Sequence, residues 1–510
     1  MTDFTLPEIS YTAIGPLIVL FAAACAGVLV EAVVPRHRRY PVQLGLALAG
    51  VAVAFVLVVR LAGAGEVTAG GSITVDGPAL FLQGALLVFG FVALLLIGDR
   101  SVEAGGAFVA QAAITVGSDA DRRQHGAPGA TEVFPLTLFS LGGMALFVSA
   151  SDLLTMFIAL EVLSLPLYLM SALARRRRLV SQEAAVKYFL LGAYASGFFL
   201  FGLALIYGFA GSVDFAGIHA AVATSQMDQV LLLAGLALVV TGLLFKAAAA
   251  PFHVWTPDVY QGAPTPVVAF MAAGTKVAAF GAMLRVLYVA FERVSWDWQL
   301  LIGGVAVLTM LVGAILAVTQ TDMKRLLAYS SIANAGYVLV ALAAPAQVGA
   351  AAVMFYLVAY GFAVIAAFAI VSLVRDSDGG EAHHLSRWAG LGRRSPLAAG
   401  VFTVVMLALA GIPLTAGFTA KFAVFSAALT AGQPWLVIAG VVSSLIIAFP
   451  YLRVVVMMWL SEPGEGTATL VVPGVFTSAA VTLGAVAIVG LGVVPGPLLE
   501  LASDASLFLR

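Results

Sequence analysis

Long apolar runs, separated by short polar stretches, dominate this chain. A helix needs about 20 mostly apolar residues to cross a bilayer, and the runs predict fourteen such crossings. Their approximate bounds are 11–34, 41–62, 79–98, 132–150, 152–174, 181–210, 229–250, 264–291, 299–318, 324–343, 347–374, 396–430, 434–460 and 469–494. The pattern therefore predicts an all-α, polytopic membrane protein.

Composition supports the same class. The 510 residues are 62% hydrophobic and 10% charged, with a mean hydropathy of +1.06. A soluble chain of this length has too little interior to bury so much apolar surface. The net charge of -1 gives no reason to expect a nucleic-acid partner. The single Cys25 excludes an intrachain disulfide, a CxxC redox pair and a cysteine-held iron–sulfur cluster.

Basic residues in the loops predict the orientation, because cytoplasmic loops of membrane proteins are enriched in Lys and Arg. With the N-terminus outside, the cytoplasmic loops hold sixteen Lys and Arg, and the external side holds only Arg60, Arg293 and Arg510. The sixteen are Arg36, Arg38, Arg39, Arg100, Arg122, Arg123, Arg175, Arg176, Arg177, Arg178, Lys324, Arg325, Arg375, Arg387, Arg393 and Arg394. Both termini are then expected on the external side.

Two of the crossings carry helix-breaking residues at mid-span. The predicted interruptions are Ala247–Phe252 in the seventh crossing and Gly411–Gly417 in the twelfth. Proline removes a helical hydrogen bond, and irregular backbone at membrane depth is tolerated only inside protein or beside water. The breaks are five crossings apart, and an odd offset reverses the orientation. Crossings 4–8 and 9–13 are therefore predicted to be inverted repeats.

The expected organisation has four parts. Residues 1–131 hold crossings 1–3, repeat one spans 132–291, repeat two spans 299–460, and 461–510 hold crossing 14. Within the first part, Gly65–Pro78 combines Gly-Gly and Asp-Gly with β-branched residues, which predicts an external hairpin. The polar stretch 118–131 is predicted to be a disordered cytoplasmic loop.

Ionisable residues inside apolar segments are the candidates for function, because a charge in a bilayer costs several kcal/mol. Glu161, Lys246, Lys276 and Lys421 lie in four different predicted crossings. Glu161 is nine residues from Asp152, which places it roughly 14 Å deep. Desolvation and a nearby opposite charge act oppositely on a lysine, so a Lys–Glu pair of variable separation is suited to loading and releasing protons.

Each of these residues has a structural alternative. Glu161 has only a structural role if its carboxyl group is hydrogen-bonded to a neighbouring helix. Lys246 has only a structural role if its long side chain carries the ammonium to the membrane interface. Lys276 and Lys421 are equally compatible with polar packing contacts. Two weaker candidates are Lys187, which is six residues into its helix, and His253, which follows the first break. Neither Walker A nor GxGxxG patterns occur, and the adjacent His383 and His384 lack further metal-ligand spacing.

Four motifs closely resemble one family. They are TMFIALEVLSLPLYLM, KAAAAPFHVWTPDVYQGAPTPVVAFMAAGTKVAAF, LLAYSSIANAGYV and GIPLTAGFTAKF. Together they resemble the antiporter-like proton-translocating subunits of respiratory complex I, the NADH–quinone oxidoreductase. The resemblance implies fourteen helices, two inverted five-helix repeats, a Glu161–Lys246 pair, a link through Lys276 and a terminal site at Lys421. Position 421 is lysine in one branch of that family and glutamate in another.

The resemblance also implies the setting of this chain. It implies a proton-pumping subunit in a bacterial plasma membrane, surrounded by lipid and by membrane and peripheral subunits of the complex. Quinone reduction would occur on those partners, and this chain would hold neither redox cofactor nor metal. Many relatives have a titratable histidine where this chain has Asn334. The alternatives are a subunit of a multi-subunit Na⁺/H⁺ antiporter and a structural membrane scaffold.

Overall fold

The computed structural model describes residues 9–103, 105–109, 114–115, 118–120, 129–224, 229–376, 379–464 and 468–509. In its first half the helices are α1 (Gly15–Val33), α2 (Arg36–Arg60), α3 (Gly77–Gly98), α4 (Val133–Ser149), α5 (Leu153–Ser171), α6 (Arg178–Ala210), α7 (Phe215–Thr224), α8 (Gln229–Ala247) and α9 (Trp255–Gly262). The second half holds α10 (Thr265–Arg285), α11 (Ser295–Val318), α12 (Met323–Leu342), α13 (Ala346–Leu373), α14 (Leu391–Arg394), α15 (Pro396–Ala410), α16 (Ala416–Thr430), α17 (Pro434–Leu460), α18 (Val475–Val493) and α19 (Gly496–Asp504).

Twelve helices in the described ranges are long and apolar enough to cross a membrane. Helix α4 and the pair α15–α16 are shorter apolar helices, and they lie where the sequence predicts crossings 4 and 12. The predicted fold class, an all-α membrane protein, is therefore confirmed. The helix ends follow local chemistry: Asp76, Asp152 and Asp322 each precede a helix and accept a hydrogen bond from a backbone N–H of its first turn.

The predicted hairpin is present. Strands β1 (Glu66–Thr68) and β2 (Ile73–Val75) pair antiparallel, with Val67 opposite Thr74. Residues 121–128 of the predicted disordered loop lie outside the described residues. A second small sheet pairs β3 (Val374–Arg375) with β4 (Thr469–Leu470) at the other end of the bundle.

Three helices form the interior of the bundle. Every residue of α10 is buried, and α12 and α13 are buried along most of their length. Helix α13 packs against α10 on one side and against α16 and α18 on others. The interior helices carry several polar side chains, among them Lys276, Ser331, Asn334, Tyr356 and Tyr360. The chain therefore places its polar membrane-depth groups inside protein, where hydrogen-bond partners exist.

Both predicted interruptions are confirmed. Helix α8 ends at Ala247 and α9 begins at Trp255, while α15 ends at Ala410 and α16 begins at Ala416. Ala248, Gly411 and Leu414 adopt positive φ values of 62°, 83° and 68°. Left-handed backbone cannot continue a right-handed helix, so each break is fixed by local conformation. The second interruption is shorter than predicted, because Gly417 already belongs to α16.

Four short helices in the described part of the chain were not predicted: α9, α14 and two that directly follow a long helix. Helix α7 follows α6, and α19 follows α18 near the C-terminus. Beyond α19, Leu509 donates a backbone hydrogen bond to Asp76, and the Phe508 ring lies 5.6 Å from the Arg285 guanidinium. Both helices are too short to cross a bilayer, so a search for long apolar runs does not detect them.

Candidate functional site

Lys246 ends α8 in an enclosed polar cage. Its side chain is buried, and its Nζ donates to Ser164 Oγ at 2.7 Å and to Tyr188 Oη at 3.3 Å. The ring centroids of Tyr168 and Tyr188 lie 5.7 and 5.3 Å from Nζ. Hydroxyl oxygens and ring faces both stabilise an ammonium. Lys246 therefore points into the bundle and does not extend towards an interface.

Glu161 lies one helical turn before Ser164 on α5. No ion pair within 4.0 Å joins it to Lys246, although the two charges are close enough to interact. Its Oε1 is buried and has no hydrogen-bond partner among the described residues. The predicted pair is thus separated in this conformation, with the hydroxyl of Ser164 bound to the lysine. Glu161 and Ser164, the two groups of α5 available to Lys246, lie one helical turn apart.

Lys276 reaches the same helix break from α10. Its buried Nζ donates to the carbonyl oxygen of Ala247 at 3.0 Å, and Ala247 is the residue after Lys246. The last carbonyls of a helix lack intrahelical donors and carry the negative end of the helix dipole. The ammonium of Lys276 therefore satisfies the end of α8, and two lysines meet at one interruption.

Lys421 occupies the corresponding place at the second break. Its Nζ donates to the carbonyl oxygens of Ala410 at 3.0 Å and Leu409 at 3.5 Å, which are the last residues of α15. The ring centroid of Tyr337 lies 4.7 Å away. No carboxylate lies within 4.0 Å of this ammonium among the described residues. Lys421 is held by a helix end and an aromatic ring alone.

Tyr360 on α13 lies between Lys276 and Lys421. Its ring centroid is 5.9 Å from Lys276 Nζ, and its hydroxyl has no partner with hydrogen-bond geometry in the described chain. The same tyrosine lines a void of about 10 Å³ with Asn334, Tyr356 and Lys421. A void of that size is close to the minimum that holds one water molecule, and these four polar side chains share its lining with six Ala, Leu and Gly residues. These contacts bring three of the predicted lysines into one interior series.

Two tyrosines near each break correspond in position. Tyr168 of α5 faces Lys246, and Tyr337 of α12 faces Lys421. Tyr188 of α6 bonds Lys246, and Tyr356 of α13 shares the void with Lys421. The two tyrosine pairs are separated by 169 and 168 positions along the chain. In each half of the chain, a lysine beside the break thus lies near one tyrosine from each of two neighbouring helices, α5 and α6 for Lys246 and α12 and α13 for Lys421.

The two weaker candidates lie elsewhere. Lys187 forms ion pairs with Glu183 and Asp258, both at 2.7 Å, and its side chain is 43% exposed. Asp258 also pairs with Arg325 at 2.7 Å, so this cluster ties α9 to α6 and α12. His253 lies in the turn after α8, where its buried Nδ1 has no partner among the described residues. Neither residue joins the interior series.

Sequence reasoning missed two buried groups. Arg285 received no role from the sequence, yet its guanidinium forms a buried ion pair with Asp76 at 2.7 Å. Lys324 was assigned to a loop, but it is the second residue of α12 and its side chain is only 2% exposed. The signals in the sequence that could have indicated these buried cations were Asp76 and Asp322, which cap nearby helices. Burial could not be seen, because both residues stand near the ends of apolar runs.

A cavity of about 690 Å³ opens beside Lys324, at the end of the bundle that we call the basic end. Arg175–Arg178, Arg375 and Lys324 line it, together with Glu103, Asp376, Glu381 and His383. Glu103 pairs with Arg176 at 2.9 Å and with Arg375 at 3.7 Å. Across the described residues, no group of three or more His, Cys, Asp or Glu is arranged to hold a metal ion.

Comparison with known proteins places this geometry. The family described as "NADH:quinone oxidoreductase/Mrp antiporter, TM" matches residues 150–447. NADH-quinone oxidoreductase subunit N of Salinispora arenicola is 67% identical, covering 100% of both chains. Subunit N of Rhodococcus opacus is 56% identical, covering 99% of this chain and 97% of that relative.

The chain belongs to the subunit N family of NADH-quinone oxidoreductases.

Two solved structures share the fold of this chain. A chain of respiratory complex I from Thermus thermophilus with bound aureothin is 35% identical, with a TM-score of 0.78 over 96% of this chain and 99% of that chain. A chain of the Mrp complex from Dietzia sp. is 24% identical, with a TM-score of 0.80 over 98% of this chain and 97% of that chain. The Mrp chain shares the fold, whereas the closely similar sequences are those of subunit N.

Proposed function

We propose that this chain is a proton-translocating membrane subunit of a bacterial NADH-quinone oxidoreductase. Membership of the subunit N family supports the assignment, and the matched Mrp chain at 24% identity supports only the shared fold. Electron transfer and quinone reduction take place on partner subunits, because this chain contributes a helical bundle with buried lysines. Changes on those partners alter the charge or geometry around the lysines and so drive protons through them.

The observation that carries the proposal is the series of buried ammonium groups. Lys246 and Lys276 meet at the end of α8, and Tyr360 connects Lys276 to the void beside Lys421. Lys246 exchanges its proton with Lys276, from which the proton passes through water beside Tyr360 to Lys421. Charged groups at membrane depth are costly, so their presence in this series supports such a path.

Glu161 sets the affinity of Lys246 for its proton. When the carboxylate approaches, the charged lysine is favoured; when Ser164 holds the ammonium instead, release becomes easier. The separated arrangement in this structure represents the second condition. The partnerless Oε1 of Glu161 supports the exchange, because an unpaired buried carboxylate gains most from a returning cation.

Asn334 stands where many relatives have a histidine, and it has a positioning role instead of carrying protons. Its amide oxygen accepts a hydrogen bond from Tyr356 at 2.6 Å, and its amide nitrogen donates to the backbone of α12 at 2.8 Å. An amide does not titrate near neutral pH, so it orients the tyrosine and lines the void. Transfer past this point depends on the water between Tyr360 and Lys421.

The membrane arrangement follows from the same reasoning. The basic end faces the cytoplasm and the hairpin end faces outward, because most loop Arg and Lys lie at the basic end. Both termini are external, and the bundle crosses the membrane fourteen times. Helices α4–α10 and α11–α17 form inverted repeats, which the matched tyrosine pairs around Lys246 and Lys421 support.

Replacing Lys246 with alanine tests the relay. The assembled complex is reconstituted in liposomes, and NADH-driven proton uptake is measured together with quinone reduction. Lys246→Ala should assemble and lose proton pumping by roughly 10²-fold, the lower end for a positioned proton-transfer group. Lys187→Ala is the matched control, because Lys187 is a half-exposed lysine outside the interior series. Normal pumping by Lys246→Ala would remove this lysine from the mechanism.

A further inference from the structure

Lys324 has the same surroundings as the relay lysines. Its Nζ donates to the carbonyl oxygen of Ala263 at 2.8 Å, directly after α9, and to Thr265 Oγ1 at 3.1 Å. Lys276 and Lys421 bond the last carbonyls of α8 and α15 in the same manner. The ends of three interrupted-helix segments are therefore each satisfied by a buried lysine. Lys324 is the one that also borders an open cavity.

A carboxylate accompanies Lys324, as Glu161 accompanies Lys246. Glu381 Oε2 lies 3.5 Å from Lys324 Nζ, and its Oε1 accepts a 2.6 Å hydrogen bond from Thr265. The groups that face this pair from neighbouring elements are Arg375, His383, Arg177 and Asp322. The pair is thus embedded in the wall of the 690 Å³ cavity at the basic end.

Glu381 is a fixed counterion in this cluster. Burial alone would raise the pKa of Glu381, but the positive charges of Lys324 and Arg375 lower it to about 2. Burial and the charge of Lys324 lower the pKa of His383 to about 4. At neutral pH the carboxylate is therefore ionised and the imidazole is neutral. Lys324 remains as the group of the three that is suited to exchange protons with the cavity.

The face of α12 that carries Lys324 leads inward to a second polar residue, Ser331. Ala328 and Ser331 follow at i+4 and i+7, and Ser331 is about 10 Å deeper than Lys324. Ser331 Oγ lies 3.5 Å from Tyr260 Oη, and both side chains lie close to the hydroxyl of Tyr360. Tyr360 in turn lies against Lys276. Water must complete the path across the two-turn gap around Ala328, whose side chain is small.

We propose that Lys324 is the cytoplasmic loading site of the relay, with Glu381 as its counterion and the Ser331–Tyr360 face as its connection to Lys276. The inference rests on the proposed function, because it supplies protons to that relay. It assigns a task to the cavity at the basic end. Protons bind Lys324 from the cavity and leave it inward when water bridges the gap at Ala328.

The Lys324→Arg variant tests the proposal in reconstituted complex. Arginine keeps the charge and the attraction to Glu381 but effectively cannot deprotonate. We expect an assembled complex whose NADH-driven proton uptake falls by roughly 10²-fold, as for loss of a positioned proton-transfer group. Lys187→Arg is the control with the identical substitution at the same end of the bundle, and it should pump normally. An assembled Lys324→Arg complex that pumps normally would overturn the proposal.

A second variant covers the case in which arginine does not fit. Glu381→Gln removes the counterion and leaves the lysine, so Lys324 binds its proton less tightly. The alkaline limit of pumping should then move to lower pH, whereas a purely structural Glu381 would leave the pH profile of the assembled fraction unchanged, which would contradict the loading role. Lys276→Ala is measured in parallel: if it pumps normally, the relay itself is wrong. If Lys276→Ala is inactive while both Lys324→Arg and Glu381→Gln match the native complex, only the loading site is rejected.

Discussion

The two helix breaks have the same plan and different surroundings. At the first, Ala247–Ala250 are buried beside Lys246, which lies in a cage of hydroxyl groups, whereas Pro251 and Val254 are exposed. At the second, Ile412 and Leu414 are 40% and 71% exposed on the surface of this chain, and Lys421 donates to backbone carbonyl oxygens. Irregular backbone at membrane depth needs cover from protein or water. This chain therefore covers the irregular backbone next to Lys246, whereas the irregular backbone at Ile412 and Leu414 depends on what lies beside it.

The chemistry of the two breaks differs in one further respect. With the spacing of 169 that relates Tyr168 to Tyr337, Glu161 corresponds to Ser330 and Ser164 corresponds to Ala333. Ser330 forms a short hydrogen bond with Tyr451 and contributes no charge. The first half thus provides both an acid and a hydroxyl for its lysine, and the second half provides neither. We interpret the first break as the site where proton affinity is set and the second as the site of release.

The largest expected effect comes from replacing a lysine at each break with arginine. Arginine cannot release a proton, so Lys421→Arg should assemble and lose pumping by roughly 10²-fold. Lys276→Arg should lose pumping equally and also destabilise the complex by about 1–3 kcal/mol, because its closed site is overpacked. Proton uptake and thermal inactivation of the purified complex report the two effects separately. Normal pumping by Lys421→Arg would make this lysine a fixed charge and place the release site elsewhere.

A smaller effect is expected when the first break is made to resemble the second. Ser164→Ala introduces the residue found at the corresponding position, Ala333, and removes the 2.7 Å hydrogen bond to Lys246. A hydrogen bond to a charged group contributes about 1.5–3 kcal/mol, so Lys246 should shift towards Glu161 and hold its proton more tightly. We expect proton uptake to slow by about tenfold, which corresponds to roughly 1.4 kcal/mol, with assembly intact. Ser171→Ala, which removes a buried hydroxyl of the same helix that donates to the carbonyl oxygen of Leu167, is the control. Equal rates for Ser164→Ala and the native complex would show that the cage does not tune the lysine.

The smallest effects concern the backbone of the breaks. Gly411→Ala places a side chain in left-handed backbone, at a cost of about 1–2 kcal/mol, and brings the new Cβ to 2.8 Å from Lys421 Cδ. Ala248→Gly relieves the same strain. It also raises the conformational entropy of the unfolded chain, which destabilises the fold by about 0.4–1 kcal/mol, so the net change in stability should be below about 1 kcal/mol. Thermal inactivation of the complex compares them. A larger loss for Ala248→Gly than for Gly411→Ala would reverse the assignment of strain.

Much of the fold was predictable because the bilayer imposes a simple rule on sequence. Apolar runs gave the long helices, and the Pro and Gly near residues 251 and 411 gave both interruptions. The short helices α7 and α19 were not predictable from apolar length. The tie of Asp76 to Arg285 joins residues 209 positions apart, and sequence alone does not give such a distant partnership.

In the candidate site, the sequence identified the candidate residues, and tertiary packing determined their partners. The rarity of charges in apolar segments was enough to select Glu161, Lys246, Lys276 and Lys421, because membrane burial of an unused charge is costly. Only the tertiary structure decided their partners: which lysine meets which helix end, that Ser164 separates Lys246 from Glu161, and that Lys187 belongs to a peripheral ion-pair cluster. It also decided that Lys324, at the start of a helix, is enclosed. The reason is that hydropathy records the cost of placing a residue in the membrane, whereas the direction of a side chain depends on helix rotation and on neighbours distant in sequence.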